Sequence, residues 1–244
     1  MDPIAPVARR LLARMGGRRI MHPAGELWLL DMDKAAAVLR REGGAARWLT
    51  RSDHLRLKRI RDPVEKARRA ATYVALRLVI AMRAGRRHAR ARMLRLPGRA
   101  PRLLGVPAVF NLSHSEHLAL IGIARRGRIG VDMEALRTVP MSPRNRGRIV
   151  AAANELSRAR RLRPEPDGDV LQGWTRLEAF AKATGRGINR TLADFGIRAQ
   201  QNPRWHTAGG SIPEKARRQL PGYWVHDVAL PGAIAAVART LSCR

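Results

Sequence analysis

Short apolar stretches along this 244-residue chain predict a series of β-strands. Residues 129–134 alternate between apolar positions and polar or glycine positions, which is the period of a strand with one buried face. Apolar runs at 26–32, 108–112 and 118–124 predict three further strands. The basic turn at 126–128 predicts that strands 118–124 and 129–134 form a hairpin.

Apolar residues spaced three and four apart predict the helices. The clearest of these helices begins at Asp62 and Pro63, an aspartate cap followed by a proline in the first turn, and ends at Gly85. Further helical stretches are predicted at 34–49, 149–162 and 174–185. Two successive groups of strands and helices indicate an α+β fold with two subdomains.

A basic link that contains proline and glycine, residues 95–107, is the predicted boundary between the two halves. We therefore divide the chain into a basic N-terminal extension (1–24), an N-terminal subdomain (25–107) and a C-terminal subdomain (108–244). The extension is interpreted as a solvated tail because arginines are frequent in it.

The composition is strongly basic, with 48 Lys and Arg against 19 Asp and Glu and a formal charge of +29. Such a charge attracts polyanions, although a GC-rich genome would also enrich a chain in arginine. The single cysteine, Cys243, excludes an internal disulfide and suits a reducing cytoplasm. No stretch approaches the ~20 apolar residues that cross a bilayer. We therefore expect a cytoplasmic protein without membrane insertion.

Asp132 and Glu134 lie on one face of the predicted strand, about 6.5–7 Å apart along it. Two neighbouring acids repel each other unless a cation or solvent lies between them, and magnesium prefers oxygen ligands of this kind. For an isolated pair, a solvated strand face is the simpler interpretation. Glu178 and Lys182 also fit an ordinary helix, with a capping box from Thr175 and an i,i+4 ion pair.

Three sequence blocks, taken in order, favour a more specific interpretation. They are Asn111-Leu112-Ser113-His114-Ser115, Gly130-Val131-Asp132-Met133-Glu134 and Trp174-Thr175-Arg176-Leu177-Glu178-Ala179-Phe180-Ala181-Lys182. Together they resemble the Sfp-type 4′-phosphopantetheinyl transferases, over roughly residues 26–197. The resemblance implies two similar, pseudo-symmetric α+β subdomains with the ligand site at their junction. It also implies transfer of the phosphopantetheine arm of coenzyme A to a serine of an acyl or peptidyl carrier protein.

The resemblance assigns roles to four residues near the expected metal. Asp132, Glu134 and Glu178 match the acids that bind magnesium, and Lys182 matches the lysine near the reacting phosphate. Glu178 is the expected base for the serine proton, and Lys182 would stabilise the departing adenosine 3′,5′-bisphosphate. Mg²⁺ is therefore the expected cofactor, and coenzyme A the co-substrate.

Coenzyme A brings phosphates that require cations or other polar contacts. His114, with the adjacent Ser113, matches the position that contacts a coenzyme A phosphate. Arg56 lies in a basic segment where a cationic contact is expected. Arg68 projects from the apolar stripe of the helix after Asp62, where a phosphate contact competes with simple snorkelling to solvent.

Two positions depart from the family's pattern. Arg99, in Gly98-Arg99-Ala100-Pro101, stands where the family usually has a lysine. The arginine retains the positive charge, and its guanidinium could bind phosphate. Leu177 replaces the basic residue commonly found before the catalytic glutamate, and we expect any effect on carrier recognition rather than on chemistry.

Other interpretations remain open at this level. A nucleic-acid-binding protein would explain the charge, but aromatic residues are only 4% of the chain and no zinc-finger spacing is present. A family member without catalytic activity is a further alternative. On the enzymatic interpretation, the basic surface would speed encounter with acidic carrier proteins, and the expected oligomeric state is a monomer.

Overall fold

A computed structural model describes residues 4–43, 45–94, 101–157, 159–197 and 222–240, so the predictions on Arg99 and Cys243 lie outside the described part of the chain. The chain forms two compact units, one made of Met1–Leu96 and Pro101–Arg126 and the other of Pro97–Ala100 and Gly127–Arg244. Helices accompany antiparallel sheets in both units, so the predicted mixture of α and β structure is confirmed. The pseudo-symmetry of the two subdomains stays a prediction.

The first unit combines an antiparallel four-stranded sheet, in the order β1-β2-β6-β5, with helices and the short pair β3-β4. Its elements are α1 (Ile4–Arg14), β1 (Arg18–His22), β2 (Gly25–Asp31), α2 (Met32–Glu42), α3 (Ala45–Trp48), α4 (Arg51–Leu57), α5 (Pro63–Ala84), α6 (Arg86–Ala89), β3 (Met93–Leu94), β4 (Arg102–Leu103), β5 (Val109–Ser115) and β6 (Leu118–Ala124).

Helix α5 is the central helix of this unit, and its ends confirm the sequence prediction. The Asp62 side chain accepts a hydrogen bond from the backbone N–H of Val64, and Pro63 occupies the first turn. Gly85 ends the helix with φ at +88°, a conformation that glycine adopts readily and in which a side chain would be strained. Residues 71–81 are buried throughout and pack with α1, α2 and the sheet.

The N-terminal extension is part of the first unit and not a solvated tail. Helix α1 buries Ala8, Leu11 and Leu12 against α5, and β1 pairs antiparallel with β2. The prediction was wrong because the arginines of this segment occupy only the outward faces of α1 and β1, while the apolar residues between them form the contact with the core.

The predicted hairpin of 118–124 with 129–134 is also wrong. Strand β6 lies between β2 and β5, so both of its edges are already hydrogen-bonded. The strand that follows pairs with the C-terminal strand of the described chain instead. For the same reason the boundary between the units falls between Arg126 and Gly127, and differs from the predicted boundary after residue 107.

The second unit contains β7 (Ile129–Ala135), α7 (Pro143–Leu156), α8 (Asp167–Thr184), α9 (Ile188–Asp194), β8 (Tyr223–Leu230) and β9 (Ala233–Thr240). The three strands form an antiparallel sheet in the order β7-β9-β8. Helix α8 packs on this sheet and on α7, with Phe180 in edge-to-face contact with Phe195 and Tyr223. Among the described residues, no helix combines the length and apolar character needed to cross a membrane.

Candidate active site

Gly130, in the middle of β7, allows the backbone of α8 to lie directly against the strand. A Cβ atom at this position would lie 2.0 Å from the carbonyl oxygen of Ala179 and 2.5 Å from the backbone nitrogen of Ala183. Glycine inside a strand is typical of such a close approach of another backbone. This contact brings the alternating polar face of β7 onto the face of α8 that carries Lys182.

Asp132, two residues after Gly130, forms an ion pair with Lys182 across this interface. The Lys182 Nζ donates hydrogen bonds to Asp132 Oδ1 at 2.6 Å and to the Val131 carbonyl at 3.2 Å. Asp132 is buried, with 5% of its surface exposed, while Lys182 is half-buried. Two residues separated by 50 positions in the sequence are therefore joined in one electrostatic unit.

The other two acids belong to the same electrostatic cluster. Burial is the main cause that raises the pKa of Glu178, and the charges of Asp132 and Glu134 raise this pKa further. Burial and the charge of Asp132 likewise raise the pKa of Glu134. Lys182 lowers both pKa values, without cancelling the increase. We refer to Asp132, Glu134 and Glu178 as the acidic cluster.

The acidic cluster has a donor set that fits a hard divalent cation. Three carboxylates supply oxygen ligands, and the raised pKa values reflect burial and mutual repulsion, both of which a bound cation would offset. However, within the described ranges no group of three or more His, Cys, Asp or Glu side chains is arranged to hold a metal ion. The assignment of these three acids as magnesium ligands therefore stays a prediction.

Arg137 is a cation of this region that sequence reasoning missed. Its guanidinium lies 3.6 Å from Glu134 Oε2, and its positive charge lowers the pKa of Glu134. Arg137 follows the end of β7, in a segment with no helical or strand pattern, so its sequence context gave no signal.

Gly130 could have been identified, because a glycine between strand residues indicates a close backbone contact.

Helix α8 is anchored to the sheet by a buried ion pair that was not predicted. Arg176 is fully buried and donates two hydrogen bonds to the Asp227 carboxylate on β8, at 2.7 Å each. Thr175, expected to cap the helix, lies in its interior and donates to the Gln172 carbonyl, so the capping-box interpretation is wrong. Leu177 is fully buried in the core of the unit, so its side chain is inaccessible to a protein partner.

In the first unit, Arg68 reaches the turn that follows the β5 residues Ser113 and His114. Arg68 donates two hydrogen bonds of 2.7 Å to the Asp33 carboxylate, and lies 3.5 Å from the Glu116 carbonyl. The hydrogen bond between Arg68 and Asp33 raises the pKa of Arg68 and lowers the pKa of Asp33. His114 is exposed and Ser113 is buried, as expected for neighbours on opposite faces of a strand.

Arg56 has a different set of contacts. Its guanidinium donates to the Met93 carbonyl at 2.7 Å and lies 3.5 Å from Asp53, which is itself fully buried and ion-paired with the fully buried Arg77. Arg56 therefore ties α4 to β3. Its predicted contact with coenzyme A stays a prediction, as do those of Arg68, Ser113 and His114.

Comparison with known proteins finds a family match over part of the chain. The model of the 4′-phosphopantetheinyl transferase superfamily matches residues 128–235, a range that contains the whole acidic cluster and Lys182. Over these residues the chain is similar to the 4′-phosphopantetheinyl transferase superfamily. The family resemblance found in the sequence is thus confirmed.

Two relatives of this transferase superfamily are similar to the chain. The Synechocystis sp. protein slr0495, provisionally named a 4′-phosphopantetheinyl transferase, is 28% identical over 176 residues, which cover 70% of this chain and 69% of slr0495. The 4′-phosphopantetheinyl transferase HetI of Nostoc sp. is 38% identical over 85 residues, which cover 33% of this chain and 34% of HetI. The family and these names identify the chain as an enzyme whose general activity is phosphopantetheinyl transfer.

Proposed function

We propose that this enzyme transfers the 4′-phosphopantetheine arm of coenzyme A to a serine of an acyl or peptidyl carrier protein. The observation that carries the proposal is the 2.6 Å contact of Lys182 with Asp132 beside two further acids, within the residues matched by the family model. This arrangement combines carboxylates for a metal, a base for a hydroxyl proton and an ammonium for a phosphate.

In the proposed reaction, the serine Oγ attacks the phosphorus that carries the pantetheine. A new P–O bond forms, the bond from that phosphorus to the bridging pyrophosphate oxygen breaks, and adenosine 3′,5′-bisphosphate leaves with the bridging oxygen. Asp132, Glu134 and Glu178 would hold a magnesium ion, which would neutralise the pyrophosphate charge.

Glu178 is the proposed acceptor of the serine proton. Because burial and the Asp132 charge raise its pKa, Glu178 is a stronger base than an ordinary glutamate. Lys182 lies one helical turn from Glu178 and would place its ammonium near the departing phosphate, where it offsets the negative charge that develops there.

The phosphates of coenzyme A are proposed to contact cations of the first unit. Arg68 and His114 are the favoured candidates, because Arg68 reaches the turn that follows the strand of His114 and the imidazole is exposed. An Arg68 guanidinium already held by Asp33 presents its remaining N–H groups in a fixed orientation.

The proposal is tested by the release of adenosine 3′,5′-bisphosphate from coenzyme A, measured by chromatography with magnesium and a panel of apo-carrier proteins. Asp132→Asn and Glu178→Gln should each lower the turnover by about a hundredfold, because their contributions are made in the transition state. Glu155→Gln, which alters an exposed acid on α7, is the matched control and should retain the wild-type rate. Near-normal turnover in both Asp132→Asn and Glu178→Gln would show that the acidic cluster has a structural role and no catalytic one.

A further inference from the structure

Each of the two acids on β7 has a cation from its own chain. Asp132 is paired with Lys182 at 2.6 Å, and Glu134 is paired with Arg137 at 3.6 Å. With Glu178, the region contains three carboxylates and two cations. Its formal charge is therefore −1, where the carboxylates alone would give −3.

The two ion pairs differ in how firmly they are held. Lys182 also donates to the Val131 carbonyl and is half-buried, so its position is fixed by two contacts. The side chain of Arg137 is 51% exposed and its distance from Glu134 exceeds that of a normal hydrogen bond. Exposed pairs of this kind contribute little free energy, so Arg137 can leave Glu134 readily.

A divalent cation at the acidic cluster would compete with both side chains for the same carboxylates. The Asp132 oxygen that accepts from Lys182 is a hard oxygen ligand, as is the Glu134 carboxylate beside Arg137. A guanidinium or ammonium displaced from a carboxylate remains tethered nearby, and both groups bind phosphate oxygens as well as carboxylates.

We propose that Lys182 and Arg137 are exchangeable counter-ions of the acidic cluster, holding Asp132 and Glu134 until a divalent cation binds and then turning to the phosphates of the substrate. The inference rests on the metal site in the proposed function. It adds a role for Arg137 in binding an anionic substrate, and it makes the affinities for metal and for coenzyme A depend on each other.

Binding of Mn²⁺ to the full-length, metal-free protein tests the first half of the inference without reference to activity. Electron paramagnetic resonance counts the free ion during a titration. Arg137→Gln should tighten Mn²⁺ binding by about 1.5- to 5-fold, the value of an exposed ion pair. Lys182→Gln should tighten it on the order of ten-fold, because a charge-assisted hydrogen bond to a buried carboxylate is removed. Thermal unfolding confirms that each variant is folded.

Matched variants separate the contacts from the net charge. Arg137→Lys and Lys182→Arg retain the positive charge, and should bind Mn²⁺ as the wild type does. Arg144→Gln removes one charge from an exposed position on α7, outside the acidic cluster, and should also leave the affinity unchanged.

Calorimetric titration with coenzyme A tests the second half. Arg137→Gln should weaken coenzyme A binding severalfold more in the presence of Mn²⁺ than in its absence, because only then does Arg137 face the phosphates. If the wild type binds Mn²⁺ but both glutamine variants bind it equally or more weakly, the counter-ion inference is overturned while the metal site stands. If the wild type binds no Mn²⁺, the proposed metal site fails and the inference fails with it.

Discussion

A Cβ atom on Gly130 would lie 2.0 Å from the carbonyl oxygen of Ala179, so the strand β7 and the helix α8 touch through their backbones. Asp132 lies two residues after Gly130 on the strand, and Lys182 lies three residues after Ala179 on the helix. The Lys182 Nζ donates a hydrogen bond of 2.6 Å to Asp132 Oδ1. The close contact at Gly130 thus determines where the ammonium arrives relative to the acids.

Substitution of Gly130 by alanine should separate β7 from α8. We expect Gly130→Ala to lower the free energy of unfolding by about 3 kcal/mol or more, since the added methyl group meets a backbone and not a movable side chain. Urea unfolding measures this change, and any folded variant should also show weakened metal binding.

Gly147→Ala is the matched control. It lies inside helix α7, where an added Cβ meets nothing within 4 Å, so alanine should raise the free energy of unfolding by about 0.5–1 kcal/mol. Equal effects of the two substitutions would show that the contact at Gly130 does not constrain the fold.

Glu178→Gln should stabilise the metal-free protein at neutral pH while it abolishes most activity. The pKa of Glu178 is raised above its ordinary value of 4.5, so the folded state holds the proton more tightly than the unfolded chain. Stability from this group is fully present below the unfolded pKa and is lost as the pH rises through the folded pKa. Glutamine cannot ionise, and the variant should therefore avoid this loss.

Urea unfolding across pH 4–7 measures the difference in the free energy of unfolding between Glu178→Gln and the wild type. This difference should be absent near the unfolded pKa, at the acidic end of the range, and should grow as the pH rises. Asp33→Asn should change the free energy of unfolding at neutral pH in the opposite direction. Because the hydrogen bond from Arg68 lowers the Asp33 pKa, the wild-type group stabilises the fold above its unfolded pKa, and asparagine should lose that contribution. If Glu178→Gln is less stable than the wild type at neutral pH, the burial and the repulsion that raise the Glu178 pKa have been overestimated.

Arg176 and Asp227 should behave as a coupled pair. Removing Arg176 leaves Asp227 without its two hydrogen bonds, and we expect Arg176→Met to destabilise the protein by about 3 kcal/mol. Asp227→Asn should cost less, because this carboxylate is 29% exposed and the buried guanidinium keeps its hydrogen bond to the Arg160 carbonyl. A double-mutant cycle measures the coupling energy, and additive effects of the two changes would contradict the pairing.

Local signals in the sequence predicted the parts of the fold that depend on neighbouring residues. The cap at Asp62 and the stop at Gly85 define α5, and the alternation from 129 to 134 defines β7. Pairing between distant strands leaves no such signal, so the partner of β7 was predicted to be its sequence neighbour. The helix predicted at 174–185 begins earlier than predicted, at Asp167.

The candidate site shows the same division. The residue types Asp132, Glu134, Glu178 and Lys182 could be selected from motifs, but the contact between Lys182 and Asp132 depends on how α8 packs on the sheet. Arg137 could not be selected at all, since its importance comes only from its distance to Glu134.

Coenzyme A binding distinguishes the enzyme from a nucleic-acid-binding protein. His114→Ala should raise the dissociation constant for coenzyme A severalfold, which corresponds to ~1–2 kcal/mol for a lost charge-assisted hydrogen bond. The same change should barely alter weak binding to DNA, to which one side chain contributes little among many cations. Arg144→Ala, an exposed charge on α7, should affect neither. Arg56→Ala should weaken coenzyme A binding to a similar extent but is less informative, because Arg56 also ties α4 to β3.

Calorimetry with coenzyme A, and DNA binding at near-physiological salt, check this prediction. Submicromolar DNA affinity without measurable coenzyme A binding would favour the nucleic-acid interpretation. Unchanged coenzyme A affinity in His114→Ala would remove this histidine from the phosphate site.

Mass spectrometry of apo-carrier proteins is the most direct test of the proposed transfer. The purified enzyme is incubated with coenzyme A, magnesium and a panel of carriers that includes those of its own genome, with chelator and with carriers whose acceptor serine is replaced by alanine as controls. We predict that at least one carrier gains a phosphopantetheine on its serine, only with the metal and only when that serine is present. A folded wild-type enzyme that binds coenzyme A and modifies no carrier in the panel would contradict the proposed function.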